Sequence, residues 1–91
     1  MPKFVIERDL PGAGSLSQDQ LQAISQTSVE TLNGMGGRAK WVQSYVTDDK
    51  IFCVYIADDV AAVKEHATKG GFPCNEVYTV RTMIDAATAD S

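Results

Sequence analysis

Few side chains in this 91-residue chain are suited to acid–base or metal chemistry. His66 is the only histidine, so it is the one side chain whose ordinary pKa lies near neutrality and the only imidazole available to a metal ion. A carboxylate or thiol could join it from Glu7, Glu65 or Cys74. Their spacings match no motif for a closed four-ligand site. A divalent metal would therefore need an open surface site or a site shared between subunits.

His66 also has a purely structural interpretation. On a helical wheel it falls beside the apolar stripe that contains Val63 and Ala67, where a neutral histidine commonly bonds to a neighbouring group. In a catalytic interpretation, His66, Glu7 or Tyr55 could transfer a proton on a bound ligand. The chain contains neither a Gly-x-Ser-x-Gly elbow nor a Cys-x-x-Cys pair, so nucleophilic hydrolysis and thiol redox chemistry are disfavoured.

Composition and charge limit the class of protein. The formal net charge is -4 and no cluster of Lys or Arg occurs, which argues against nucleic acid and anionic membranes as partners. No apolar run approaches the ~20 residues that span a bilayer, and no signal peptide is recognisable. Cys53 and Cys74 are expected to be free thiols. Together these features predict a cytoplasmic protein.

The first strand and the first helix can be read from local patterns. Alternating apolar residues predict a strand over residues 3–10, with Phe4 and Ile6 on one face. Ser17 with Gln20 three residues later matches a capping box and predicts the start of a helix. An apolar stripe at a spacing of about 3.6 residues should pack that helix closely on the sheet. It consists of Leu21, Ile24, Ser28, Leu32 and Met35.

Residues 41–56 form two β-rich runs joined by a short polar turn. In the first run, strict alternation puts Val42 and Val46 on one face and Trp41 and Tyr45 on the other. In the second run Phe52, Val54 and Ile56 oppose Ile51, Cys53 and Tyr55. A hairpin that is apolar on both faces needs a cover on each.

The second helix and the last strand complete the pattern. The acidic pair at residues 58–59 should cap the helix, and the glycine pair at residues 70–71 should end it. A final strand is expected over residues 76–84, where β-branched and aromatic residues mix.

The resulting order is β-α-β-β-α-β, which predicts an α+β fold of the ferredoxin-like type, with two helices on one face of a four-stranded antiparallel sheet. A single domain should cover residues 1–84, and residues 85–91 should form a flexible C-terminal tail. This plan leaves the opposite face of the sheet bare. We expect that bare face to carry Trp41, Tyr45, Cys53 and Tyr55. Such a patch is too large to leave in water, so a second copy, in a dimeric α+β barrel, or a small ligand should cover it.

Several segments also carry a recognisable combination of residues: 4–8 with 11–12, 41–55, and 65–67 leading to 71–73. Together they resemble a small bacterial family of domains of unknown function that includes a nickel-responsive, nickel-binding protein. The resemblance implies a ferredoxin-like subunit, a dimer, and a divalent metal near the dimer surface. The family positions that carry over are His66, Gly71 and Pro73 on the second helix and after it, and Phe52 and Cys53 on the third strand.

The leading hypothesis is therefore a dimer that binds a divalent metal, nickel being the candidate. In the first strand, Glu7 or Asp9 would supply oxygen ligands where nickel-binding members of the family are richer in histidine. The predicted metal ligands are His66, Glu7, Glu65 and Cys74. The alternative is a dimeric α+β-barrel enzyme or small-ligand binder that uses Trp41, Tyr45, Cys53 and Tyr55. A third possibility is an interaction protein without a ligand.

Overall fold

The computed structural model describes residues 1–90 and has the predicted order of elements. The strands are β1 (Lys3–Asp9), β2 (Ala39–Val46), β3 (Lys50–Ala57) and β4 (Glu76–Thr79), and the helices are α1 (Gln18–Asn33) and α2 (Val60–Gly70). Neighbouring strands are antiparallel and lie in the order β2-β3-β1-β4. The ferredoxin-like α+β fold predicted from the sequence is confirmed.

Local signals account for the helix ends. The side chain of Ser17 accepts a hydrogen bond from the N–H of Gln20, and the Ser17 N–H donates to the Gln20 side chain, which is the predicted capping box. The side chain of Asp59 caps α2 by accepting one hydrogen bond, from the N–H of Ala62. α2 ends at Gly70 and is capped by Gly71, whose φ of 73° favours a residue without a Cβ. None of the helices within residues 1–90 has the length and apolar content needed to cross a bilayer.

The last strand is shorter than the prediction. The pairing of β4 with β1 continues only to the N–H of Val80, which donates to the carbonyl of Lys3. Because β1 begins at Lys3, residues 81–84 have no strand beside them to pair with. The strand predicted over residues 76–84 is therefore wrong in its second half.

Beyond that point the chain forms a short 3-10 helix, Ala86–Asp90, without a buried side chain. This helix lies in the predicted tail at residues 85–91, of which residue 91 lies outside the described residues. The domain limit at residue 84 and the flexibility of the tail remain predictions.

The assignment of residues to the two faces of the sheet is wrong for most of the predicted set. Trp41 lies opposite Tyr55, and both are on the face that packs against the helices, together with Cys53. Tyr45 lies opposite Phe52, on the other face. A β-bulge directly after Trp41 breaks the alternation, so Trp41 and Tyr45 point to opposite sides. Of the four residues expected on the bare face, only Tyr45 is there.

Packing in the core explains why this face of β3, and not the other, lies against the helices. Cys53 and Ala57 are small buried residues of β3, and Ala62 and Ala67 are small buried residues of α2. Small side chains on both sides allow a helix to approach a sheet closely. The alternative apolar set of β3, namely Phe52, Val54 and Ile56, stays partly exposed on the bare face. Because both sets are apolar, alternation alone could not distinguish them.

Candidate functional site

The four predicted metal ligands lie in different surroundings. Glu7 is on the bare face of β1, whereas His66 is buried on the helix-covered face, so the sheet lies between them. Glu65 is a partly exposed residue of α2, and Cys74 is half-buried in the segment before β4. Among residues 1–90, no group of three or more His, Cys, Asp or Glu side chains could hold a metal ion. The predicted set does not converge within one subunit.

Both carboxylates of that set are engaged with cations. Glu7 accepts a hydrogen bond from Nζ of Lys50 at 2.8 Å. Glu65 accepts from Nη1 of Arg38 at 2.9 Å and from Nζ of Lys69 at 2.8 Å. The hydrogen bond from Arg38, followed by the one from Lys69, lowers the pKa of Glu65 to about 2. Glu65 is therefore anionic at neutral pH, and the carboxylates of Glu7 and Glu65 are both already paired with cations.

His66 is fully buried, with 1% of its surface exposed, rather than at the edge of the core. Its Nε2 lies 3.1 Å from Oγ of Ser28, and its ring centre lies 5.0 Å from that of Tyr55 and 5.4 Å from that of Phe72. Burial and the nearby charge of Arg8 lower the pKa of His66, and the hydrogen bond with Ser28 opposes them. Within residues 1–90 its Nδ1 has no hydrogen-bond partner.

Arg8 is the second unusual group in this region, because it is a buried cation. Its Nε donates to Sγ of Cys53 at 3.3 Å and its Nη1 to the carbonyl of Pro73 at 2.5 Å. Its guanidinium carbon lies 5.5 Å from the ring centre of Phe72 and 6.0 Å from that of Tyr55. Nη2 has no hydrogen-bond partner among residues 1–90. A buried charge without a counter-ion is costly in free energy.

Arg8 was not among the predicted site residues, although strand alternation carries the signal. Phe4, Ile6 and Arg8 occupy the same face of β1, and all three are buried. Glu7 and Asp9, the acidic neighbours in sequence, point to the bare face, where both bind Lys50. A charged residue is rarely fully buried without a partner. An arginine in register with two core residues was therefore informative.

A pocket of about 410 Å³ lies beside these groups, between α1 and the helix-covered face of the sheet. Leu21 and Ile24 of α1 form one wall, and Ile51 of β3 forms part of the other. Its polar lining includes Arg8 and Ser28. Of the predicted ligand-binding residues, Trp41, Cys53 and Tyr55 line this pocket and Tyr45 does not.

Similarity to known proteins places the chain in a family. The profile of a family described as nickel-responsive, SCO4226-like proteins matches residues 4–80, which is most of the chain. The chain belongs to the SCO4226-like family. The resemblance read from the sequence is thereby confirmed, and the family description makes a metal-related function the general expectation for this SCO4226-like chain.

A solved structure supports the fold of this SCO4226-like chain. The crystal structure of SCO4226 from Streptomyces coelicolor A3(2) superposes with a TM-score of 0.76 and covers 90% of this chain and 99% of that chain. The two sequences are 16% identical, so the likeness concerns the fold alone. No match was found among curated proteins.

The surroundings of His66 in this SCO4226-like protein do not fit a divalent cation. The polar groups around the ring are the hydroxyls of Ser28 and Tyr55 and the guanidinium of Arg8. Nickel and similar ions prefer imidazole, carboxylate or thiolate ligands, and a buried guanidinium repels them. The His66 ring therefore has a positive rather than a negative charge in its surroundings.

Proposed function

We propose that this protein binds a small organic molecule in the pocket between α1 and the sheet. The observation that carries the proposal is the shallow burial of the apolar face of α1. Within Gln18–Asn33 only Ser28 is buried, and Leu21 and Ile24, which the sequence predicts to pack on the sheet, line the pocket instead. This partly buried apolar helix face borders a space suited to an apolar guest.

The size and lining of the pocket support this function. The pocket is a half-open cleft of about 410 Å³ with mostly apolar walls. Ligand pockets typically measure about 300–1,000 Å³ and combine apolar walls with a few polar groups. The pocket has both features, since Leu21, Ile24 and Ile51 accompany Arg8 and Ser28.

Trp41 provides a direct test, because it is the only tryptophan and lines the pocket. A library of small organic compounds should contain members that change Trp41 fluorescence and shift the amide resonances of Leu21 and Ile24. Ser25→Phe, which places a ring in the pocket, should abolish both responses. Gln22→Phe, on the same helix but outside the pocket, should retain them. Responses that persist in Ser25→Phe, or a wild-type chain that binds no compound, would overturn the proposal.

We also propose that the protein is a homodimer through the bare face. Val5 and Val54 pair at the centre of that face. Lys3 and Lys40 lie at one end, on either side of Ile56. At the other end carboxylates outnumber the single cation: Glu7, Asp9 and Glu76 against Lys50. A two-fold axis that lies between two such faces and runs across the strands brings the basic end of each subunit to the acidic end of the other.

Size-exclusion chromatography with light scattering tests the dimer. Val54→Lys puts a charge in the apolar centre and should give monomers. Val29→Lys introduces the same change at an exposed position of α1 and should leave the dimer intact. Monomeric wild-type protein at micromolar concentration, or a dimer that survives Val54→Lys, contradicts the proposal.

A second candidate function is divalent-metal binding, nickel in particular, and the family description favours it. Because Arg8 disfavours a cation beside His66, the remaining members of the predicted set are Glu7, Glu65 and Cys74. Titration with Ni(II), followed by native mass spectrometry, tests this candidate. Uptake that survives His66→Ala and falls in Glu7→Gln supports a surface site that includes the bare face. No stoichiometric uptake by the wild-type chain excludes the candidate.

The proposed location is the cytoplasm. Cys53 and Cys74 are both free thiols in the fold, which supports a reducing compartment. Cell fractionation with an antibody against the protein tests this location, and recovery of the protein outside the cytoplasmic fraction would contradict it.

A further inference from the structure

We infer that the molecule held in the pocket is an organic monocarboxylate with an apolar body, and that its carboxylate pairs with the guanidinium of Arg8. The inference rests on the proposed ligand-binding function and specifies the class of ligand. It starts from a cation that is 4% exposed, lines the pocket and keeps one nitrogen, Nη2, without a partner among residues 1–90.

The charge of Arg8 has no compensation inside the described part of the chain. No salt bridge within residues 1–90 includes it, since those present join Arg38 or Lys69 to Glu65, and Lys50 to Glu7 and Asp9. Its own hydrogen bonds go to Sγ of Cys53 and to the carbonyl of Pro73, and neither partner is a carboxylate. A buried guanidinium is retained at a cost in free energy, and an anionic ligand would offset that cost by supplying the missing counter-charge.

Polar groups beside Arg8 add hydrogen-bond donors to the site. The hydroxyls of Ser28 and Tyr55 lie 3.5 Å apart and both line the pocket. Ser28 also contacts Nε2 of His66 at 3.1 Å. A hydroxyl can rotate to donate to an anion, so a carboxylate bound to Arg8 has further donors within the same buried cluster.

The number of donors and the apolar walls select the class of anion. Nη2 is the one nitrogen of the Arg8 guanidinium without a partner in residues 1–90, and no lysine lines the pocket. A phosphate dianion in a buried site usually requires several charged or backbone donors, whereas a carboxylate needs fewer. The walls formed by Leu21, Ile24 and Ile51 suit an alkyl chain or an aromatic ring behind that carboxylate.

Matched pairs of acids and amides test the charge of the ligand directly. Octanoate is compared with octanamide, and 3-phenylpropanoate with 3-phenylpropanamide, by calorimetry and by Trp41 fluorescence. Because a hydrogen bond to a charged group is stronger than a neutral one, we expect at least one acid to bind about tenfold or more tightly than its amide.

Arg8→Met, with Arg81→Met as control, tests the residue. Arg81 is exposed, so its replacement should leave the preference for the acid intact. Arg8→Met should abolish that preference and should raise the thermal midpoint of the ligand-free protein, because it replaces a buried unpaired charge by an apolar chain of similar length. A residue with only a structural role would instead lower the midpoint without changing the preference. Arg8→Lys keeps the charge and should retain part of the preference.

The outcomes separate this inference from the proposed function. Acid binding that exceeds amide binding, and that disappears in Arg8→Met only, supports the inference. Amides that bind wild-type protein as tightly as the acids overturn it and leave the proposed ligand-binding function standing. If neither acid binds while neutral compounds of the library do, the inference is again overturned and the function stands. If no compound of either kind binds, both the inference and the proposed ligand-binding function are overturned.

Discussion

The two helices cover the same face of one sheet but are held in different ways. α2 buries four side chains within Val60–Gly70, whereas α1, although longer, buries only Ser28 within Gln18–Asn33. α2 therefore behaves as part of the core, whereas α1 is a partly buried helix that borders the pocket. Two helices with similar apolar stripes can therefore have different structural roles. The side chains between the helix and the sheet determine which role each helix has.

Side-chain size explains the difference. α2 meets the sheet through alanines such as Ala62 and Ala67, which allow close packing. α1 presents Leu21 and Ile24 over the region of Trp41, and these large groups enclose a space instead of filling it. Where α1 does reach the core, it does so through Ser28, which is buried, and Leu32, which is partly buried.

The largest expected effect comes from adding volume at matched alanines on the two helices. Ala67 of α2 is 3% exposed in the core, so Ala67→Leu should overpack it and lower the free energy of unfolding by about 1–3 kcal/mol. Ala23 of α1 lines the pocket at an exposed position. Ala23→Leu should change the free energy of unfolding by less than about 0.5 kcal/mol. Urea denaturation of both variants measures the difference.

Equal losses at the two positions would contradict this comparison, because they would mean that α1 is packed as tightly as α2. Ala61, an exposed residue of α2, offers a control for the helix itself. Ala61→Leu should leave the midpoint of urea denaturation unchanged, so a loss at Ala67 can be attributed to overpacking.

The contrast between helices also separates what the sequence could predict from what it could not. Caps and order of elements follow from local signals, and both Ser17 and Asp59 cap the helices as expected. The faces of the hairpin depend on tertiary packing, since Ile51 and Phe52 are equally apolar neighbours. A single bulge after Trp41 then moved Tyr45 to the other face.

The candidate site was less predictable for a related reason. His66 was identified as the one imidazole, but its buried position and its neighbour Arg8 depend on residues distant in sequence, such as Ser28 on α1 and Tyr55 on β3. Spacing along the chain cannot show which groups converge. The pocket was predicted in composition by Trp41 and Tyr55 but assigned to the wrong face.

Lowering the pH should have a smaller effect on stability. It acts through His66 of α2, which contacts Ser28 of α1. Burial, followed by the charge of Arg8, lowers the pKa of His66 in the folded protein, while the unfolded chain keeps a value near 6.5. Below that value the unfolded state binds a proton that the folded state does not, so stability should fall as the pH decreases from about 7 toward the lower folded pKa. The slope cannot exceed about 1.4 kcal/mol per pH unit for one group.

Urea denaturation between pH 7.5 and pH 5.5 measures this slope. His66→Gln keeps a polar side chain but cannot titrate, so the slope should largely disappear in that variant, since His66 is the only histidine. Glu65, whose pKa is about 2 in the folded state, contributes its own loss only below pH 4.5, outside this range. A slope that persists in His66→Gln would place its origin elsewhere.

The smallest expected effect comes from removing the helix caps. The two helices should differ in which amides lose protection from exchange. Ser17→Ala and Asp59→Ala each remove a side-chain acceptor at a helix start, a change that typically costs about 1 kcal/mol. Because α1 has little burial to hold it, Ser17→Ala should act through local opening, and amides in the first turns of α1 should exchange with solvent about fivefold faster while those of α2 do not. α2 is part of the core, so Asp59→Ala should instead lower the protection of the most stable amides in β1 and β3. Amide exchange measured by NMR separates the two patterns, and a uniform loss of protection in Ser17→Ala would show that α1 opens only with the whole domain.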